Sequence, residues 1–302
     1  MTIVLAGGSG FLGRALHRHF SASGHLVRTL TRSPRPGVDT DVHWQPNGDS
    51  GSWAGALADA DIVVNLAGQG IGDKRWTEAR KQALRTSRLL PTRSLARALA
   101  GAPTRRRTFI TSSAVGYYGP HGDEPVTEQT PPGDDFLSLL CVDWEAEAQA
   151  AASATTSVAQ VRTGLVLHPR GGALEAMLLP FRLGLGGPMG SGRQFMSWIH
   201  LGDWLALMAW IARRGQNAGV GGAWNATAPR PVTNADFTRT LGRVLHRPAV
   251  LPIPGVALRL LLGEVAQLLL TGARVLPEVA EQSGFHFTFI ELEHALEDLL
   301  GR

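Results

Sequence analysis

A glycine-rich loop follows the first hydrophobic segment and constrains the fold of the chain more than any other feature. The loop reads Gly-Gly-Ser-Gly-Phe-Leu-Gly over residues 7–13, after the apolar residues 1–6 and before the helix-like residues 14–20. A buried strand, a glycine turn and a helix start form the phosphate-binding element of dinucleotide-binding folds, because the helix N-terminus offers free N–H groups and partial positive charge. A plain structural turn is the alternative, since glycine turns after strands are common. The predicted nucleotide-binding residues are Gly7, Ser9, Gly10, Phe11, Leu12 and Gly13.

Length and composition indicate a globular α/β protein. The chain has 302 residues, of which 44% are hydrophobic and 18% charged, enough for one large domain or for one domain with a smaller appendage. Its net charge of +4 comes almost entirely from arginines spread along the sequence, because Lys74 and Lys81 are the only lysines. No basic cluster is interleaved with aromatic residues, so we expect no nucleic-acid partner.

Cysteine usage and hydropathy predict the cellular environment. A single cysteine, Cys141, excludes an intramolecular disulfide and favours a reducing compartment. Glycines interrupt the first apolar run after six residues, which is not the pattern of a secretory leader. The most apolar later stretch, residues 256–270, is too short and too polar to span a bilayer. We therefore expect a cytoplasmic protein with no membrane partner.

Strand-like and helix-like segments alternate along the first half of the chain. The predicted strands are 1–6, 25–30, 61–67, 108–113 and 158–162, and the predicted helices are 14–20, 77–100 and 136–152. Such alternation is typical of a mostly parallel sheet covered by helices on both faces. Ligands of these sheets bind at the carboxyl ends of the strands, so the residues that follow each strand are expected to line one edge.

The predicted fold class is therefore α/β: a Rossmann-like doubly wound parallel sheet with a smaller, mainly helical C-terminal substrate lobe. Residues 1–165 are predicted to form the nucleotide-binding domain, to which later segments return. Residues 166–302 are predicted to form the substrate-binding lobe, with a helical region from about residue 233.

Several motifs along the chain carry a family resemblance. They are GGSGFLGRAL (7–16), VVNLAGQGIGDKRW (63–76), TSSAVGYYG (111–119), PPGDDF (131–136), WEAEA (144–148), RTGLVL (162–167), LPFRLGLGGPMGSGRQFMSWIHLGD (179–203), NATAP (225–229) and VLPEVAEQSGFHF (275–287). Together they resemble the extended short-chain dehydrogenase/reductases, the NAD(P)-dependent sugar epimerase and dehydratase group. More narrowly, they resemble its uncharacterised epimerase-family subgroup. The G-x-x-G-x-x-G spacing of the first motif is the variant found in these reductases.

Cofactor choice is predicted from the end of the second strand. A carboxylate there hydrogen-bonds a ribose 2′-hydroxyl and repels a 2′-phosphate, whereas an arginine pairs with that phosphate and stacks on adenine. The chain reads Thr31-Arg32-Ser33, with no acid before Asp39, so we predict that Thr31 and Arg32 favour NADP(H). A solvated surface arginine is the alternative in a chain so rich in arginine.

The resemblance implies further cofactor contacts. Leu66, Ala67 and Gly68 resemble the third-strand element that passes beside the adenosine and ribose. Arg88 matches a family cofactor contact, with a solvated helix arginine as the alternative. Leu165 follows the sixth strand of the family pattern and is expected near the nicotinamide.

The catalytic pair usual in this family does not occur in the sequence. Family members use Tyr-x-x-x-Lys on a helix with a Ser or Thr after the fifth strand; the lysine lowers the tyrosine pKa, and the tyrosine exchanges a proton as hydride moves. Both lysines of this chain precede its two tyrosines, so no such pair exists. The candidate proton donors are Ser113, Tyr117 and Tyr118, with strand capping and packing as the alternatives.

Three residues are candidates for substrate contacts, and no metal site is predicted. Trp76 follows a glycine-rich loop at the nucleotide edge, where it is expected to wall the pocket. Arg193 and His200 lie in a segment that resembles the family pattern Arg-x-Phe-x-x-Val-x-Asp, whose arginine contacts substrate. Cys141 is expected to be a small buried hydrophobe rather than a nucleophile. The sequence has no residues at recognisable metal-ligand spacing.

The sequence thus favours an NADP(H)-dependent, epimerase-like oxidoreductase that acts on an unidentified small molecule. The main alternative is a non-catalytic NADP(H)-binding protein that senses redox state or serves as an interaction module. A true nucleotide-sugar epimerase is a third hypothesis and ranks below both, because that reaction uses a tyrosine base. The sequence leaves the substrate and the oligomeric state open.

Overall fold

Strands and helices alternate over most of the residues that the structure describes, which are 1–101, 105–217 and 220–301 of this computed structural model. The strands are β1 Thr2–Ala6, β2 Leu26–Thr31, β3 Asp41–His43, β4 Ile62–Asn65, β5 Arg107–Ala114, β6 Pro125–Val126, β7 Thr156–Thr163, β8 Leu165–Leu167, β9 Phe195–Met196, β10 Trp198–His200, β11 Gly222–Ala226, β12 Val232–Thr233 and β13 Arg274–Val275. The α-helices are α1 Phe11–Ala22, α2 Glu78–Ala100, α3 Phe136–Gln149, α4 Gly172–Arg182, α5 Leu201–Asn217, α6 Asn234–Leu245, α7 Gly255–Leu262, α8 Gln267–Leu270, α9 Glu278–Gln282 and α10 Leu292–Leu300. Short 3-10 helices span Ser52–Leu57, Val115–Tyr118 and Gly263–Ala266.

One parallel sheet organises the molecule, with the strand order β3-β2-β1-β4-β5-β7-β11. The chain moves outward from β1 in both directions, and sheets of this kind bind ligands where the order reverses, beyond the carboxyl ends of the strands. The register places Ala6 beside Leu30 and Asn65, and Ser113 beside Arg162. The carboxyl ends of these strands therefore lie along one edge of the sheet.

Helices cover both faces of the sheet, which confirms the predicted doubly wound fold. On one face, Leu16 of α1 and Trp204 of α5 are buried with Leu5 of β1. On the opposite face, Leu95 of α2 is buried in a second cluster with Val63 of β4. Because apolar residues of each central strand are buried on both faces, the strands read as nearly continuous apolar runs.

The C-terminal region is mainly helical and has a core of its own. Leu178 of α4, Leu241 of α6 and Leu296 of α10 are buried together in this core. A parallel pair of β6 and β13 joins the region to the segment that follows β5. None of the described helices is long and apolar enough to cross a membrane.

Two strands of the main sheet are not in the sequence prediction. β3 has only three residues and lies in a stretch rich in Pro, Gly and Asp, so its sequence reads as a loop. β11 comes after α5 and pairs with β7, so the main sheet extends beyond residue 165 to Ala226. Arg302, the end of the predicted lobe, lies outside the described residues.

Side-chain caps set where α2 and α3 begin. The Thr77 hydroxyl accepts a hydrogen bond from Arg80 N at 3.2 Å, and the Asp135 carboxylate accepts one from Ser138 N at 2.8 Å. Each cap provides a partner for an N–H group that has none within its helix. The helix that Asp135 caps carries Glu145, which accepts a hydrogen bond from Ser113 of β5.

We predict that Gly13→Ala destabilises the protein and that Gly10→Ala does not. A Cβ at Gly13 would overlap Gly7 O and lie 2.8 Å from Gly8 Cα, so the β1–α1 turn would have to open. A Cβ at Gly10 would meet only Gly7 O, at 3.5 Å, and the φ of −73° at Gly10 suits alanine. The expected loss for Gly13→Ala is about 1–3 kcal/mol in the free energy of unfolding, measured by urea denaturation. Equal stability of the two variants would contradict this role of Gly13.

Candidate functional site

The glycine loop between β1 and α1 is pressed against the end of β4. Gly7 has a φ of +82°, and a Cβ there would lie 2.6 Å from Leu66 O, so glycine is needed at this turn. Gly10 N donates to Gly7 O at 3.2 Å, which closes the loop before α1 starts. No described side chain caps α1, and its first turn has no acidic residue. The first N–H groups of this helix are therefore available to an anion.

The other predicted loop residues surround these N–H groups. Ser9 and Gly10 are exposed, whereas Phe11 and Leu12 are half-buried. The Phe11 ring packs against His168, with 5.6 Å between ring centroids, which ties the start of α1 to the segment after β8. The surface of the loop that faces solvent is therefore formed by backbone and by small side chains.

The segment after β4 lies beside the glycine loop, as the sequence predicts. Ala67 N donates to the Asn65 side chain at 3.1 Å, and that side chain in turn donates to Thr92 of α2 at 2.8 Å. Leu66 and Ala67 are half-buried, and Gly68 is exposed. Residues 66–68 thus line the same edge of the sheet as the glycine loop.

Arg32 and Arg35 follow β2 but differ in their partners. Arg35 forms two hydrogen bonds with the Asp41 carboxylate, each 2.7 Å long. Arg32 is exposed, and within the described residues its side chain has no hydrogen bond or ion pair. The Thr31 hydroxyl accepts a hydrogen bond from Ser33 N at 3.2 Å, which shapes the turn that carries Arg32. Arg32 is therefore the arginine at this strand end whose charge is available to a ligand.

Arg88 supplies a second cation, and it is largely buried. Its guanidinium donates to Gln69 O at 2.9 Å and lies 5.4 Å from the centroid of the Trp144 ring. No ion pair joins it to a described carboxylate, and burial lowers the pKa of Arg88 below its usual range. A buried cation that contacts the residue after Gly68 favours a nearby anionic group.

Ser113 faces a buried ion pair. Its hydroxyl donates to Glu145 Oε1 at 2.6 Å, and Arg162 donates to both oxygens of the same carboxylate at 2.8 Å. All three residues are buried. Burial works against the charge of Arg162, but the hydrogen bonds and charge of Glu145 hold its pKa above the usual range. The hydroxyl proton of Ser113 is therefore engaged in a hydrogen bond with Glu145.

The two adjacent tyrosines have different environments. Tyr118 is fully buried; its hydroxyl donates to Asn225 Oδ1 at 2.7 Å and accepts from Arg162 Nη1 at 3.0 Å. Burial raises the pKa of Tyr118 to about 12. Tyr117 is half-buried, and the guanidinium carbon of Arg162 lies 3.4 Å from its ring centroid. Its hydroxyl has no hydrogen-bond partner in the described part of the chain, so Tyr117 is the tyrosine whose hydroxyl is available.

The three predicted substrate residues do not converge on one pocket. Trp76 is buried, donates a hydrogen bond to Ile71 O at 2.9 Å and packs edge-on against Phe136. Its side chain is therefore part of a hydrophobic core and does not line a pocket. Arg193 is 82% exposed, with its guanidinium 3.9 Å from Asp123. Of these residues, Arg193 is the one that stays open to solvent.

His200 is buried against the C-terminal helix α10. Its Nδ1 accepts from Gly202 N at 2.9 Å, and its ring lies 3.8 Å from the ring of Phe289. Its Nε2 is 3.2 Å from Asp298 of α10, and burial lowers the pKa of His200. These contacts belong to the packing of the C-terminal region.

Leu165 and Cys141 are the remaining residues that the sequence analysis singles out. Leu165 is the first residue of β8, and its apolar side chain is partly buried against the C-terminal core. Cys141 is buried as expected, and burial raises its thiol pKa to about 11. In the described residues, no group of three or more His, Cys, Asp or Glu side chains is arranged to hold a metal ion.

Glu145, Arg162 and Asn225 are functional candidates that the sequence prediction does not include. Glu145 is an acid on the sheet-facing side of α3, and Arg162 is a charge within the apolar strand β7. A buried charge is costly unless it is paired, so an arginine inside an apolar strand implies a buried carboxylate nearby. That signal is present in the sequence, but it does not say which of the acids is the partner.

Comparisons with known proteins agree with this geometry. The model of the NAD dependent epimerase/dehydratase family matches residues 3–227, and a domain of unknown function, DUF1731, matches residues 253–299. The chain belongs to this epimerase/dehydratase family.

Full-length relatives share the whole architecture. An epimerase family protein of Mycobacterium bovis is 43% identical over 97% of this chain and 96% of its own length. The human epimerase family protein SDR39U1 is 39% identical over 99% of this chain and 100% of its own length. A crystal structure of human SDR39U1 (isoform 2) with NADPH has a TM-score of 0.89 and 36% identity, and covers 100% of both chains.

We predict that Glu145→Gln lowers the free energy of unfolding by about 3–5 kcal/mol, because it leaves the Arg162 charge buried and unpaired. The double variant Glu145→Leu/Arg162→Met should lose less than Glu145→Gln alone, since it removes both charges. Glu147→Gln is the matched control, because Glu147 of the same helix pairs with Arg93 where both side chains are partly exposed, and such pairs contribute about 0–1 kcal/mol. Urea denaturation measures all three. A double variant less stable than the single one would contradict the explanation.

Proposed function

We propose that this protein is an NADP(H)-dependent oxidoreductase of the epimerase/dehydratase family that acts on a small molecule. The observation that carries the proposal is the pair of arginines, Arg32 and Arg88, that have no carboxylate partner among the described residues and lie at the edge where the glycine loop opens. The NADPH in the crystal structure of human SDR39U1 supports the same cofactor. The single cysteine, which is free and buried, is consistent with the reducing conditions of the cytoplasm.

The residues at the sheet edge fit a phosphorylated dinucleotide. The backbone of residues 7–13 and the start of α1 would hold the pyrophosphate, because a Cβ at Gly10 meets only open space beyond Gly7 O. Arg32 would pair with the 2′-phosphate, since the neighbouring Arg35 is already engaged by Asp41. Residues 66–68 would lie beside the adenosine, and residues 163–165 would lie toward the nicotinamide.

The reaction needs a proton as well as the hydride that NADPH supplies when bound. Tyr117 is the best candidate for the proton donor, because its hydroxyl has no described partner and the Arg162 cation lies over its ring. Ser113 and Tyr118 are weaker candidates, because the Ser113 hydroxyl donates a hydrogen bond to Glu145 and Tyr118 is fully buried. In this proposal, Ser113, Glu145 and Arg162 position Tyr117, and Tyr117 exchanges the proton.

A non-catalytic role in NADP(H) binding is the second candidate. It is favoured by the same Ser113–Glu145 bond, because the hydroxyl that family members use beside the tyrosine is occupied here. The two candidates differ in turnover. Oxidation of NADPH in the presence of carbonyl or activated-alkene compounds supports the enzyme, and tight binding of NADPH without turnover of any such compound supports the binding protein.

We predict that Arg32→Ala weakens NADPH binding by about 1–3 kcal/mol and leaves NADH binding unchanged, because a charge-assisted bond to the 2′-phosphate is lost. Arg35→Ala is the matched control, since it removes an arginine from the same loop whose charge is neutralised by Asp41. Isothermal titration of both cofactors against both variants measures the effect. Equal affinity of the unmodified protein for NADPH and NADH would exclude the proposed role of Arg32.

We predict that removing the hydroxyl of Tyr117 affects turnover, whereas removing that of Tyr118 affects stability. Tyr117→Phe should lower turnover by about 10²–10⁴-fold, the usual contribution of a general acid, without weakening NADPH binding. Tyr118→Phe should leave turnover nearly unchanged and lower the free energy of unfolding by about 1 kcal/mol, because Asn225 and Arg162 lose a buried partner. Turnover is followed as NADPH oxidation with a substrate found in the screen. If Tyr117→Phe stays within about twofold of the unmodified protein, far below the general-acid range, the proton has another source.

A further inference from the structure

Most of the large aliphatic side chains that the described residues expose lie in two segments of the C-terminal region. In the first segment, at the end of α4 and just after it, Leu179 and Leu183 are 67% and 65% exposed. In the second segment, Val250 is 73% exposed, and Val256 and Leu260 of α7 are 65% and 74% exposed. Contiguous exposed aliphatic groups on this scale mark a surface that binds another apolar phase.

The two segments lie side by side. Ile253 N donates to Pro188 O at 2.9 Å, and Arg247 Nε donates to Arg182 O at 3.0 Å. These bonds hold both sets of aliphatic side chains on one surface. We call this surface the apolar face, and define it by residues 179–190 and 247–261.

Positive charge accompanies the aliphatic groups on the apolar face. Arg182, Arg247 and Arg259 are exposed. Residues 176–192 and 244–263 contain no Asp or Glu. Over the described part of the chain, none of these three arginines forms an ion pair with a carboxylate. The apolar face therefore carries three arginines that no carboxylate among the described residues pairs with.

One end of the apolar face is held by the segment that follows β4 and by α2. Arg75 Nε donates to Leu261 O at 2.9 Å, which caps the end of α7. Lys81 of α2 lies 2.7 Å from Glu264, just after α7. These contacts hold the end of α7 with Leu258 buried, while Leu260 and Leu261 stay exposed.

We propose that the apolar face binds the surface of a bilayer that contains anionic lipids. Aliphatic side chains enter the boundary between headgroups and acyl chains, while arginines attract anionic headgroups, and this combination is typical of proteins that bind at a membrane interface. A second copy of this chain fits the face less well. A two-fold symmetric contact would bring the three arginines of each copy into one shared interface to which these segments contribute no acid. The inference is independent of the proposed function, and it replaces the expectation from the sequence that the protein has no membrane partner.

Sedimentation of the full-length protein with lipid vesicles tests the proposal. The vesicles are made of phosphatidylcholine alone or of phosphatidylcholine with phosphatidylglycerol. We expect the protein to sediment with the vesicles that contain phosphatidylglycerol and to stay in the supernatant with the others. Leu260→Ser/Leu261→Ser should weaken this binding by at least about tenfold, because two aliphatic groups no longer enter the bilayer. Arg259→Gln should weaken it about fivefold, which corresponds to about 1 kcal/mol for one cation near an anionic surface.

Two matched controls separate the apolar face from the rest of the surface. Leu139→Ser removes an exposed leucine of α3, and Arg213→Gln removes an exposed arginine of α5. Both should bind vesicles like the unmodified protein. Thermal unfolding of every variant, followed by circular dichroism, checks that each is folded; Arg259→Gln provides the test if the double leucine variant is not.

Three results would overturn the proposal. The first is no binding to vesicles that contain phosphatidylglycerol, and the second is equal loss of binding in the control variants. The third comes from analytical ultracentrifugation without lipid: a dimer that Leu260→Ser/Leu261→Ser dissociates would assign the apolar face to a second copy of the chain.

Discussion

The buried charge of Arg162 is the constraint on which the rest of the site depends. A guanidinium inside the molecule needs partners, and its neighbours from three parts of the chain provide them. Glu145 of α3 neutralises it, the Tyr118 hydroxyl and Glu128 O accept from it, and the Tyr117 ring packs over it. Arg162 makes all of these contacts from β7, the strand next to β5. The position of Tyr117 at the sheet edge therefore depends on β7 as well as on β5.

The C-terminal region completes this group of polar contacts. The Asn225 side chain accepts a hydrogen bond from the Tyr118 hydroxyl and donates one to Leu276 O at 2.9 Å. Leu276 lies just after β13. Ser197 donates to Ala273 O at 2.7 Å, and its hydroxyl accepts from Val275 N at 3.0 Å. The segment that pairs with β6 is therefore part of the support for the tyrosines. Residues from both family matches, 3–227 and 253–299, thus contribute to these contacts.

The parts that could be predicted from the sequence are the local ones. The glycine loop, residues 66–68 and Arg32 each follow directly from a strand, so the order of residues alone places them at one edge. The Glu145–Arg162 pair joins residues 17 positions apart on a helix and a strand, and the register of β5 against β7 brings Ser113 to it. Sequence spacing gives no such register, and neighbours such as Tyr117 and Tyr118 look equivalent until the 3-10 turn separates them. The apolar face could not be predicted from the sequence either, because its two segments are distant along the chain and only the fold brings them together.

The pairing of β6 with β13 has a consequence for the order of synthesis on the ribosome. Thr227, Asn225 and Ser197 direct hydrogen bonds to the carbonyls of residues 273–276. While those residues are still inside the ribosome, these side chains have no protein acceptor and must be solvated by water. These particular bonds therefore cannot form when β11, the last strand of the main sheet, leaves the ribosome. They form only after residues 273–276 have emerged, so the polar support of the tyrosines is completed later than the synthesis of the strands that carry it.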